Sequence, residues 1–84
     1  MVDIVLKLVN EEVEVSSTPD TVHSAVLFRV YASTAASKVT IRDADSNIIG
    51  SMTIPQGFVE IMEKRKTDTV ACVPAALCTP VAYK

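Results

Sequence analysis

Lys38 to Ile54, KVTIRDADSNIIGSMTI, decides the fold class. Val39 and Ile41 alternate with Lys38, Thr40 and Arg42, which is the two-residue period of a strand with one covered face. Asp43-Ala44-Asp45-Ser46-Asn47 follows. These residue types turn a chain by bonding their own backbone or by tolerating positive φ. Ile48, Met52 and Ile54 then resume the alternation, with Ile49, Ser51 and Thr53 on the opposite face. The stretch reads as a β-hairpin.

Similar runs extend to both sides. Val2 to Val9 carries apolar residues on both parities and reads as a strand covered on both faces. Asn10 to Glu12 reads as a turn and Val13 to Val15 as a short strand. Ser16-Ser17-Thr18-Pro19-Asp20 is a loop. Val22 to Tyr31 reads as a central strand, with Phe28 as the largest core side chain and Arg29 as its outward neighbour. Pro55-Gln56-Gly57 is a tight turn, with Pro suited to its second position and Gly to an unusual φ. Phe58 to Lys64 is the next strand, with Val59 and Ile61 expected to face the core. Thr69 to Val73 and Ala75 to Val81 complete the set, and Pro74 and Pro80 mark strand ends or edges. The expectation is an all-β fold: a small antiparallel β-sandwich or barrel of about seven short strands, spaced roughly 8–12 residues apart. Residues 1–84 form a single domain, and 1–20 are an N-terminal strand or arm that contacts partners.

The composition bounds the function. A chain of 84 residues buries only about 60% of its unfolded surface. Yet 49% of it is apolar, mostly Val, Ile and Ala. That surplus over one small core points to burial against another subunit. Ten acidic against eight basic residues, a net charge of −2, argues against capture of nucleic acid, which needs a basic footprint. The basic run Lys64-Arg65-Lys66 reads as a solvated strand end. No apolar run is long enough for a membrane helix, and Asp3 and Lys7 interrupt what would otherwise resemble a leader. Assembly in a reducing cytoplasm is the expectation, which favours Cys72 and Cys78 as buried thiols over the alternative of a disulfide between neighbouring strands.

No residue pattern points to catalysis or to a cofactor. His23 is the single histidine and lacks metal-ligating neighbours. Cys72 and Cys78 are spaced too widely for a zinc or redox pair. The Asp43–Asn47 run superficially resembles a calcium loop but lacks its glycine and its bidentate glutamate, so turn stabilisation is the expected role. Glu11, Glu12 and Glu14 form an acidic knot without a pocket to separate their environments. No catalytic, cofactor-binding or metal residues are assigned, and a non-enzyme is expected.

Several stretches together resemble a known group. Phe28-Arg29-Val30-Tyr31-Ala32, the run from Val39 to Ala71 with its Lys66-Thr67-Asp68-Thr69-Val70 step, and Cys78 to Tyr83 are similar to small virion proteins of tailed bacteriophages, particularly marine cyanophages. The resemblance spans Val26 to Tyr83. It implies a β-sandwich present in many copies in a virion, as a capsid decoration or cement protein or as a connector in the head–tail or tail complex. The expected partners are further copies of the chain and other virion proteins, with assembly in the host bacterial cytoplasm. Ile4, Leu6, Leu8, Leu77, Val81 and Tyr83 are the expected contact residues, in strands able to add to a partner's sheet. Two other readings compete. One is a small ligand- or carbohydrate-binding module, disfavoured by the lack of Trp. The other is a phage protein that binds a host enzyme.

Overall fold

The computed structural model describes residues 6–83. Two antiparallel sheets face each other, and no helix occurs among the described residues. The strands are β1 (Leu6–Leu8), β2 (Val13–Val15), β3 (Leu27–Tyr31), β4 (Ser37–Arg42), β5 (Ile48–Ile54), β6 (Val59–Glu63), β7 (Thr69–Val73) and β8 (Ala76–Tyr83). The larger sheet runs β1-β8-β3-β6, with β2 also on β8, and the smaller runs β5-β4-β7. The fold is the expected small β-sandwich. Among the described residues, eight strands occupy seven positions, because β1 and β2 lie end to end along one side of β8.

That split edge has a cause in the sequence. Leu8 stands opposite Val81, and Val13 opposite Cys78. Four residues of the edge, Val9 to Glu12, therefore span the two positions Thr79 and Pro80. The Val9 amide donates to the Pro80 carbonyl at 3.2 Å, so the backbone of Pro80 faces the edge. Its missing N–H falls where the edge strand breaks and no ladder bond is needed. Pro80 was expected at an edge. It lies instead in a strand paired on both sides, and its neighbour carries the interruption.

The hairpin from Lys38 to Ile54 forms as the alternation requires, with Val39 opposite Met52 and a register shift between Ile41 and Arg42. Asp43 holds its turn: one carboxylate oxygen accepts the Asp45 and Asn47 amides, each at 2.9 Å. Ser46 takes the left-handed conformation there, at φ 69°. At the next turn Phe58 donates to the Pro55 carbonyl at 3.1 Å, and Gly57 has φ 83°. Pro55 is thus the first residue of a type II-like turn, not the second, and Gly57 fills the position that requires positive φ.

The core lies between the sheets, built from Val15, Val22, Phe28, Val30, Val39, Ile54, Val70, Cys72, Ala76 and Cys78. Phe28 is its largest fully buried side chain. The expected strand from Val22 begins only at Leu27. Val22, His23 and Ser24 instead turn left-handed, at φ 52°, 56° and 57°. The Asp20 carboxylate accepts the Val22 amide at 2.6 Å, and Val22 itself is completely buried. An apolar anchor and an aspartate hold a conformation that β-branched residues rarely adopt.

Candidate functional site

Residues directly opposite in adjacent strands share a sheet face. On the smaller sheet the buried Val39 is opposite Met52 and Cys72, so the outward set is Lys38, Thr40, Arg42, Ser51, Thr53 and Thr69, with Ile48, Ala71 and Val73. That face is mostly polar, the usual arrangement for a solvated antiparallel sheet.

The outward face of the larger sheet is different. Phe28 and Val30 point inward, so their opposites Met62 and Glu60 also point inward, and Val59 and Ile61 point out. This corrects the expected parity of β6: Val59 and Ile61 are each 38% exposed. The reason is that both parities of this edge strand carry apolar residues, so alternation within β6 could not choose its face. Three cross-strand rows result. Leu8, Val81, Leu27 and Glu63 form one, Thr79, Arg29 and Ile61 the second, and Glu14, Leu77, Tyr31 and Val59 the third. The face is thus largely aliphatic, with carboxylates at two diagonal corners. At its centre the Arg29 guanidinium lies 5.8 Å from the centre of the Tyr31 ring. Tyr and Arg within an apolar field are the side chains that most often anchor protein interfaces.

The structure gathers part of the expected contact set here. Leu8 is 74% exposed and Leu77 half-buried, both on this face. Val81 lies between them in the sheet but is buried, so it supports the face without offering contact area. Leu6 and Tyr83 are opposite each other in the backbone register. Ile4 lies outside the described residues. Sequence reasoning missed Leu27, Arg29, Tyr31, Val59 and Ile61 as members of the same surface. The signal was present in the apolar content of both parities in β3 and β6, but only the strand order puts them next to β8.

The remaining candidates are structural. Lys64 was expected in a solvated run, yet it is only 5% exposed. Its ammonium donates to the Ala25 carbonyl at 2.7 Å and to the Arg65 carbonyl at 3.3 Å. Burial holds its pKa below the ordinary 10.5, opposed by the charges of Asp68 and Asp20. Asp68 is also buried. One of its oxygens accepts the Arg65 amide at 3.0 Å and the Arg65 Nε at 3.3 Å, while the other has no partner among the described residues. The basic run is therefore a pinned turn with one buried lysine.

Cys72 and Cys78 come from opposite sheets and are free, buried thiols. A hydrogen bond to Cys72, with burial second, pushes the Cys78 thiol far above the usual range, so it is a neutral core group. Asp43 has its pKa lowered, chiefly by the Asn47 amide, in keeping with a turn-stabilising role. No cluster of three potential metal ligands occurs among the described residues. Compared with known protein families, curated proteins and solved structures, the chain matches none.

Proposed function

We propose that this chain is a non-enzymatic structural subunit of a tailed-phage virion. It works by docking the outer face of its larger sheet onto other virion proteins. The supporting observation is the contrast between the two outer faces of one sandwich: one bears Lys38, Thr40, Arg42, Ser51 and Thr53, the other Leu8, Leu27, Tyr31, Val59, Ile61 and Leu77. A small domain gains nothing by leaving such a face in water, and a partner surface removes the cost. The resemblance of Val26 to Tyr83 to small phage virion proteins supplies the biological setting. Decoration, cement and connector roles all use a surface of this kind.

The reading is tested on particles. The chain should copurify with intact virions in fixed stoichiometry by quantitative mass spectrometry, and electron cryo-microscopy should show a density of its size against a larger virion protein. Absence from purified particles, together with a purified chain that binds no virion protein, refutes it.

A further inference from the structure

The sandwich has four sheet edges, and they are not equally protected. The free side of β7 is covered by Ser16–Asp20: Cys72 donates to the Ser16 carbonyl at 2.9 Å, and Val70 and Asp20 exchange bonds of 2.8 and 3.0 Å. The β1/β2 edge is broken opposite Pro80. The β6 edge carries Glu60 and Glu63. The fourth, β5, runs seven residues as IIGSMTI, with no charge and no proline. Natural edges normally carry a lysine, a proline or an inward charge to block pairing. We propose that β5 pairs antiparallel with β5 of a second copy, about a two-fold axis through Met52.

The ladder fixes the register. Val70 and Cys72 turn their backbone groups outward, so Thr69, Ala71 and Val73 bond β4 through Arg42, Thr40 and Lys38. Ser37, Val39 and Ile41 then bond β5 through Ile54, Met52 and Gly50. This leaves the N–H and C=O groups of Ser51 and Thr53 on the open edge. A two-fold at Met52 sets Ser51 opposite Thr53 of the second copy, twice, and the two Met52 side chains side by side. The second methionine closes a slot of about 150 Å³ lined by Val39, Ile41, Met52 and Met62.

Charge selects a second copy as the occupant. An uncharged strand pairs with itself without opposing like charges. A two-fold axis through the centre of the larger sheet's outer face, by contrast, would bring Arg29 onto Arg29. Area sets the strength: a ladder centred on the exposed Met52 side chains is short, and the surface it covers stays below that of a standard specific interface. The irregularity beside Arg42 confines the new ladder to Ser51–Thr53. The contact is therefore weak in dilute solution and populated where many copies are held close. It deepens the assembly reading and rests on it for its biological meaning.

Sedimentation equilibrium of the purified chain, from micromolar to millimolar, tests the pairing without any virion, so its outcome is separate from that of the particle experiment. A monomer–dimer equilibrium is expected. Ser51→Lys should weaken it at least about tenfold, while Thr40→Lys, on the same sheet but away from the edge, should leave it unchanged. Met52→Cys should form a linked dimer with oxidised glutathione, two thiols becoming one disulfide as the oxidant is reduced to two glutathione thiols. Ile61→Cys should not, and this pair decides the matter if Ser51→Lys fails to fold. A monomer throughout with no Met52→Cys cross-link, or a dimer indifferent to Ser51→Lys, overturns the proposal.

Discussion

His23 occupies the middle of three consecutive left-handed residues and is exposed. Each non-glycine residue in that region costs roughly 1–2 kcal/mol. His23→Gly should therefore stabilise the protein by about 1 kcal/mol, after the added unfolded-state entropy of glycine is set against the relieved strain. A rise in the urea midpoint with unchanged slope is the expected reading. Lys64 makes the opposite case. Lys64→Met removes the donor to the Ala25 carbonyl and the cation beside Asp68, and should cost about 2 kcal/mol. The lysine also has a pH signature. Its folded pKa is lowered by burial, so the unfolded chain binds the proton more tightly. Stability should rise as pH climbs through the lowered value toward 10.5. That rise should be absent in Lys64→Met when unfolding is followed across the alkaline range.

Among the elements, the β4–β5 hairpin is the one that local sequence specifies most fully. Asp43 accepts two amides within its own turn, and its amide in turn donates to the Asn47 carbonyl at 2.9 Å. Asp43→Ala should lower the melting temperature and speed amide exchange at Asp45 and Asn47, with little change in β3 or β8. The carboxylate's pKa is depressed, so its contribution is present above the ordinary 3.8 and is lost as pH falls through the lowered value. The turn was legible because each of its bonds spans at most four residues. The face of β6 was not. Glu60 points inward at an open edge and Ile61 outward, and only pairing with Val30 and Arg29 sets that parity. An inward glutamate on an edge strand is a known guard against unwanted pairing, which fits the proposal that β5, rather than β6, takes a second copy.

At the scale of the molecule, the two outer faces divide the work. Substitutions on the larger sheet should separate stability from binding. Val59→Glu with Ile61→Glu, both on a half-exposed edge strand, should retain the β-sheet circular dichroism spectrum and most of the stability. The pair should also abolish copurification with virions. The matching change on the smaller sheet, Thr40→Glu with Thr69→Glu, should leave incorporation intact. Equal incorporation of both double variants would remove the larger sheet's face from the assembly contact.

Alternation, turn chemistry and proline placement are short-range properties. They were enough to specify an all-β chain, the hairpin at Lys38–Ile54, Phe28 as the core's largest side chain, and Asp43 as a turn-holding residue. Strand order was beyond them, because the pairing of β8 with β3 and with β1/β2 joins residues dozens of positions apart. That order turned Lys64 from a solvated charge into a buried strut and moved Pro80 from an edge to the interior. It also gathered Leu8, Leu77, Arg29, Tyr31 and Ile61 into one surface. Side-chain period tells which residues share a face of one strand. Only hydrogen-bonded neighbours in space decide which faces become a core, a solvated wall or a docking surface.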